Sequence, residues 1–402
     1  MRLAGLRVLD FCWVGAGAFV TRMLADLGAE VIKVESRAHP DNLRLSGPHK
    51  PGARQLESSG YFASRNTSKK SIALNMSLPE GRALALRLAK LCDVVTNNFR
   101  PGVMEKWGLA YSDVAAVNPS AIYLSMPMQG ASGPHRNYIG FGSTIAALCG
   151  LVSMAGLPER PPLGTGTHYP DHVPNPGHAL VALLAAAYHR QRTGEGQHIE
   201  LAQIESTLNV LGPSLLAWTA RGELPERDGN RRPGVAPCGV FPCAQDDTWI
   251  AIEVQDDHQW RGLAAALGGP GWMAAAELAT LAGRIAQQDA IETKLRAATA
   301  TFEASALAAL LQQHGVAAAV VNTNAGIVED PQLRARGYWQ RVPHPEMGEL
   351  VINAPPFKVA GEDRPALGCP PLLGQHTAEI AGGLLGLSEA ECRRLIDEQV
   401  LY

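Results

Sequence analysis

Apolar and polar positions fall into two alternating rhythms along the N-terminal half of the chain. Residues 6–13 (LRVLDFCW) are a short apolar run, and 14–18 (VGAGA) a glycine-rich turn. In 19–28 (FVTRMLADLG) apolar residues recur with helical spacing at Phe19, Met23, Leu24 and Leu27, and Gly28 marks the stop. A second apolar run follows at 29–35 (AEVIKVE). The same alternation continues, with a helix over 77–91, a strand over 92–98, a helix over 111–119 and a strand over 121–127. Strands that alternate with helices predict a parallel, doubly wound α/β sheet. Asn175 is expected to cap a helix with Pro176 in its first turn and the run from Ala179 to Tyr188 buried. Residues 196–212 continue that layer.

The rhythm breaks at 221–234 (RGELPERDGNRRPG), where glycine, proline and charge mark a linker. Beyond it, 238–254 reads as a hairpin turning at Asp246–Asp247. Helices are expected near 258–268, 286–299 and 302–314, then a strand at 316–322. From about 325 the pattern is strand-like and punctuated by proline, and a helix at 388–399 ends it. The expected boundaries are a large domain over 1–220, a linker over 221–235, a small α/β domain over 236–322 and a return to the large domain over 323–402. There is no internal repeat.

Composition narrows the classes. The chain has 402 residues, 46% hydrophobic, with a net charge of -3. A balanced charge gives no reason to expect nucleic acid or a membrane surface as partner. No apolar run is long enough for a membrane span, and the first residues run straight into a strand without a signal-peptide pattern. Seven scattered cysteines fit reduced thiols in the cytoplasm better than a disulfide framework. Cys238 and Cys243 have the wrong spacing for a zinc knuckle and no second pair, so no metal site is expected.

Four stretches carry candidate chemistry. Gly15 and Gly17 between a strand and a helix, with Glu35 closing the next strand, resemble a dinucleotide fingerprint, although Val20 stands where its third glycine belongs. The turn therefore either approaches a phosphate-bearing ligand or is a plain tight turn. Residues 66–71 (NTSKKS) offer two lysines as a phosphate clamp or a solvated loop. Residues 97–102 (NNFRPG) end a strand where open sheets bind ligands, and Arg100 suits an anion there. Lastly, Asp171 lies between Pro170 and Pro174. A second helix cap, an ion pair and a nucleophilic carboxylate are the readings open to it. His168, His172 and His178 lie close by, and the two prolines argue against a helical metal pair.

Together these segments resemble the class III CoA-transferases, the CaiB/BaiF family. The opening βαβ unit at 5–36 carries the likeness, as do 66–82, 93–109, 118–134, 189–201 and 370–380, in order along nearly the whole chain. The resemblance implies a large Rossmann-like domain built from both chain ends, a smaller inserted domain and a homodimer of interlinked subunits. It implies catalysis by Asp171. It also implies CoA contacts from Val14, Gly15 and Ala16 at the turn, from Lys69 near the phosphates, and from Asn98, Phe99 and Arg100. Arg37 is the implied nucleotide-phosphate contact, one place later than in several members. CoA enters as part of the acyl-CoA substrate, with a free carboxylic acid as the second substrate and no tightly bound cofactor. The implied chemistry passes through a mixed anhydride and an aspartyl-CoA thioester, which requires an ionised Asp171 without a raised pKa.

The formyl-CoA transferases' glycine-rich loop is not seen in 231–241. The sister α-methylacyl-CoA racemases pair the aspartate with a histidine where this chain has glycines and Phe141 in 135–144 (HRNYIGFGST). A racemase of the same fold and a non-catalytic CoA- or NAD-binding module are the alternatives to a transferase. Family habit points to succinyl-CoA or another short or dicarboxylic acyl-CoA as donor.

Overall fold

The computed structural model describes residues 3–402. Six parallel strands form its main sheet: β1 (Arg7–Asp10), β2 (Glu30–Glu35), β3 (Lys70–Ala73), β4 (Val94–Asn97), β5 (Ile122–Ser125) and β6 (His198–Glu200). They lie in the order β3-β2-β1-β4-β5-β6. This is the doubly wound order, and it reverses between β1 and β4. Strand partners are in simple register there, with Leu9 opposite both Ile32 and Val95.

Period-two alternation along the strands builds a core on each face. Leu9, Ile32, Ile72, Val95 and Tyr123 point to one side, where Leu84, Leu88, Ile380 and Leu395 cover them. Val8, Val31, Val94 and Ile122 point to the other, against Val20 and Leu24 of the first helix (Ala16–Asp26) and Leu183 of the long helix (Pro174–Thr193). The C-terminal segment returns to the sheet edge. The Ser71 carbonyl accepts from the backbone of His376, and the backbone of Asn75 donates to the Val400 carbonyl.

The chain divides into two compact units. The larger holds the chain up to Ser153, then Gly164–Leu224 and Gln332–Tyr402. The smaller holds Met154–Leu163 and Pro225–Pro331. The smaller unit is built on an antiparallel sheet, β7 (Cys238–Pro242), β8 (Trp249–Glu253) and β9 (Ala317–Val320), in sequence order. Helices Asp257–Ala266, Gln288–Thr299 and Ala304–Gln313 pack onto it through Leu263, Leu295 and Leu307. Its excursion at Met154–Leu163 has no counterpart in the sequence reading, because nothing in residues 154–163 announces a change of unit.

Local expectations needed correction at three places. The stretch after 324 is helical, not strand-like, as far as Ala335. Thr323 accepts from the Gly326 amide to start Asn324–Glu329, and Pro331 opens the next turn, Pro331–Ala335. Only then does a hairpin form, β10 (Trp339–His344) with β11 (Gly348–Asn353). Second, Asn175 is not a cap. The long helix begins at Pro174, and the buried Asn175 amide instead donates to Gln203 and accepts from the Ser206 hydroxyl. Third, the run 179–188 is buried only at Ala179, Leu183 and Ala186, while Val181 is 69% and Tyr188 62% exposed. Among the described residues no helix is long and apolar enough to cross a membrane.

Candidate active site

The crests of β1 and β4 meet where the strand order reverses, and side chains from three directions fix the β1 loop. Asn98, just past β4, accepts the Trp13 amide at 2.9 Å and donates to the Trp13 carbonyl at 2.6 Å. Asp41 accepts the Val14 amide at 3.0 Å, and its other oxygen pairs with Lys33 at 2.8 Å. Beneath, Asp10 accepts the Cys12 amide and the hydroxyls of Thr21 and Thr96. This framework holds Val14 at φ 61, a left-handed conformation that a β-branched residue avoids by roughly 1–3 kcal/mol. The bend ends at Gly15, which begins the helix Ala16–Asp26.

Asp171 lies in a single helical turn, Tyr169–His172. The prolines do not prevent this turn, contrary to the sequence reading. Pro170 occupies an initial position where a missing N–H costs nothing, and Pro174 begins the next helix. The side chain is buried and gripped between two glycines. A methyl placed on Gly15 would lie 2.6 Å from Asp171 Oδ2, and one placed on Gly142 would lie 2.7 Å from the same atom. Neither glycine has a left-handed φ, so it is the proximity of the carboxylate that excludes a side chain there.

Burial dominates the electrostatics of this carboxyl group. Desolvation raises its pKa to about 6, against the lowering influence of His168, the Gly142 backbone N–H and Arg65. This corrects the expectation of an unshifted carboxylate: the group is charged at neutral pH but binds its proton more tightly than an exposed aspartate. His172 is pushed down to about 4, mainly by burial, and is neutral. Its Nδ1 meets Arg65 Nη2 at 3.2 Å, and its ring stands edge-on to Phe19 and Tyr61. His178 bonds the Pro174 carbonyl. The three histidines therefore do not converge on a metal, and among the described residues no group of three metal-ligating side chains forms.

A cleft of about 280 Å³ opens over the carboxylate. Val14, Gly15, Ala16, Asn98, Phe99, Arg100 and Asp171 all line it, so seven of the nine positions singled out from the sequence share one cavity. Trp13 and Phe99, edge-on at 5.3 Å, form a wall whose far side faces a second cavity of about 250 Å³ lined by Val34, Ser36, His39 and Trp107. Arg37 is exposed beside that second cavity, and its amide bonds the Tyr402 carbonyl.

Lys69 is the expectation that fails. Its ammonium is fully buried and committed to Asp10 at 3.0 Å, Thr21, Asn66 and the Ala18 carbonyl. All its hydrogen-bonding capacity is used inside the fold, so it braces the β1 loop from below and reaches no phosphate.

The sequence of CoA-transferase family III matches the chain over residues 3–377. The chain belongs to CoA-transferase family III. As a member it transfers CoA between acyl-CoA thioesters and carboxylic acids. It is 34% identical over 399 residues, 99% of this chain and 98% of the relative, to succinyl-CoA--D-citramalate CoA-transferase of Chloroflexus aurantiacus. Over 361 residues, 90% of each chain, it is 32% identical to acetyl-CoA:oxalate CoA-transferase of Acetobacter aceti. A crystal structure of a CAIB/BAIF family protein from Brucella suis matches the fold with a TM-score of 0.87 and 32% identity, covering 96% of this chain and 99% of that one.

Sequence reasoning about this family III site missed several residues. Asp41 and Gln203 hold backbone from within the fold, and a lone Asp or Gln has no signature for that. Gln203 donates to the Met126 carbonyl and accepts from Asn175, tying the β5 crest to the long helix. Gly142 was in view, within the stretch that lacks the racemase histidine. Its glycine was the signal, because only a residue without a side chain fits against the carboxylate.

Proposed function

We propose that this family III enzyme transfers CoA through a covalent intermediate on Asp171. The observation that carries the reading is a buried carboxylate held between Gly15 and Gly142 at the floor of the cleft. Asp171 attacks the donor thioester carbonyl, the C–S bond breaks, and CoA leaves as a thiolate from a mixed anhydride. The thiolate attacks the aspartyl carbonyl, giving an aspartyl-CoA thioester and releasing the donor acid. The acceptor carboxylate attacks that thioester, forming a second anhydride. The thiolate then takes the acceptor acyl group and regenerates Asp171. The Gly142 backbone N–H, which already acts on the Asp171 carboxyl group, is a donor for the negative charge that develops there. Burial serves the anhydride, which water would hydrolyse.

In this reading the Val14–Ala16 turn, Phe99 and Arg100 hold the CoA moiety, and Asn98 acts through Trp13. The aromatic cavity beyond Trp13 and Phe99 suits the adenine ring, with Arg37 at its edge for a phosphate. The relatives named for citramalate and oxalate point to short dicarboxylic acids as substrates. Two interlinked copies form the working homodimer. Supporting this, Val181, Tyr188, Leu216 and Trp218 are more than half exposed. All seven cysteines are free thiols, in keeping with a cytoplasmic enzyme.

Racemisation needs a proton-transfer group on each side of the α-carbon. Glycines and Phe141 stand where the racemases carry the partner histidine, which favours transfer. The decisive experiment uses acyl-CoA with hydroxylamine. A hydroxamate should form on the peptide carrying Asp171, and Asp171→Asn and Asp171→Ala should fold yet lose transfer by several orders of magnitude. A label on another residue, or transfer retained in Asp171→Ala, refutes the reading.

A further inference from the structure

Part of the cleft lining has no role in the chemistry above. Asn98 and Gln203 spend their side chains inside the fold, on Trp13 and on Met126 and Asn175. The Val14–Ala16 turn, Phe99 and Arg100 are given to CoA. Ile139, Phe141 and Ile145 also line the cleft and are apolar. Phe141 is 58% exposed, yet its backbone is firmly held. Its amide donates to the Thr144 hydroxyl at 3.4 Å, and its carbonyl accepts from the Ile145 amide at 3.0 Å. A methyl on Gly140 would lie 2.6 Å from Thr144 Cβ, and one on Gly142 2.7 Å from Asp171 Oδ2. Of residues 140–142, only Phe141 therefore has room for a side chain. A large apolar ring fixed in a cavity and left in water has surface to bury when a ligand arrives.

The position narrows what the ring meets. Consecutive Cα atoms are about 3.8 Å apart, so Phe141 is anchored one residue from the backbone that abuts the Asp171 carboxylate. An acyl group bonded to Asp171 extends into the cleft that Phe141 lines. We propose that Phe141 is a specificity-determining residue whose ring packs against the hydrocarbon of the acyl group next to the reacting carbonyl. The acyl groups it favours carry methylene or methyl carbons there, whether the acid is mono- or dicarboxylic. Formyl and oxalyl groups have no such carbon and gain nothing from the ring. Each methylene taken out of water is worth about fourfold. This inference rests on the reading of Asp171 as the nucleophile and adds to it a residue that reads the acyl chain.

The test gives the full-length enzyme acyl-CoA donors in two series: acetyl, propionyl and butyryl, then malonyl, succinyl and glutaryl. It measures CoA thiol released in the presence of hydroxylamine. The CoA part is the same throughout, so its contacts cancel. From the shortest to the longest donor, kcat/KM of wild type should rise roughly 15-fold, two methylenes at about fourfold each. Phe141→Ala should cut that rise to about fourfold or less, and Phe141→Leu, which keeps an apolar side chain, should retain most of it. Three results overturn the proposal: no rise in either series of wild type, equal losses on short and long donors in Phe141→Ala, or a gain on the long donors, which would make the ring an obstacle. If Phe141→Ala instead dissociates the enzyme in light scattering without changing the chain-length ratio, a second copy covers the ring and the proposal also fails. Hydroxylamine labelling of Asp171 does not depend on the chain-length ratio, so failure here leaves the nucleophile reading standing or falling by its own experiment.

Discussion

Gly142 stands against the Asp171 carboxylate with no room for one more carbon. The added methyl would lie 2.7 Å from Oδ2 and 2.8 Å from Cγ. Gly15 makes a similar approach from the helix Ala16–Asp26. The nucleophile is therefore aligned by what its neighbours lack.

Gly142→Ala and Gly15→Ala should each fold, since both backbones accept alanine, but displace the carboxylate. Transfer should fall at least about 100-fold, the scale of a misplacement near 1 Å at a reacting centre. Steady-state kinetics with circular dichroism as the folding control decides this. Near-normal kcat in both variants would show that the carboxylate tolerates the shift.

The raised pKa of Asp171 sets an acid limb. Activity should rise with pH through about 6 as the carboxyl ionises, with unit slope below, and level off above. A pH profile of kcat/KM flat from 5 to 8 would contradict an essential carboxylate at this site.

The same shift bears on stability. The native state holds the Asp171 proton up to about 6, whereas the unfolded chain releases it near 3.8. Stability is therefore lost as pH rises through that window, by up to about 3 kcal/mol for a shift of this size. Asp171→Asn, which has no charge to bury, should match wild type below pH 4 and exceed it above pH 7. Urea melts at both pH values measure the difference, and equal stability at pH 8 would count against it.

Lys69 is expected to behave as a structural residue. Lys69→Met leaves the Asp10 carboxylate buried without its cation and should cost about 3–5 kcal/mol. In the fraction that remains folded, KM for acyl-CoA should stay within about twofold, well short of the roughly tenfold or greater rise that loss of a charge-assisted phosphate contact brings. Denaturation curves paired with kinetics separate the two. A large KM effect at normal stability would return Lys69 to the ligand.

The sequence made most of the sheet legible because β1, β2, β4 and β5 are short, largely apolar runs between helical repeats, and parallel strands buried on both faces leave that mark, whereas β3, KSIA, does not carry it. The cleft was legible for a related reason. The loops after β1 and β4 meet where the strand order reverses; Gly15 and Arg100 could each be placed at a strand end from the sequence, and it was the family resemblance that put them at one site. Charge, by contrast, was misleading. Lys69 and Arg100 look alike in a sequence, yet one is neutralised inside the fold by Asp10, 59 positions away in the chain, and the other faces the cleft. Asn175 misled in the same way. Its amide pairs with Gln203 and Ser206 across the interior, a tertiary contact that overrode its local preference for a cap. The exposed Tyr188 lies in a run whose composition promised burial, and it keeps the Arg192 guanidinium over its ring instead of a place in the core.

The two-point bond between Asn98 and Trp13 ties the first and fourth crests into one piece, and Asp41 pins the same loop from a third side. A floor stapled in this way cannot flex to admit a long substrate. The stretch of Arg136, Tyr138 and Ile139, which also lines the cleft, is exposed and among the described residues carries no such staple to the strand crests. The stapled part of the cleft is thus an anvil, fixed before the substrate arrives.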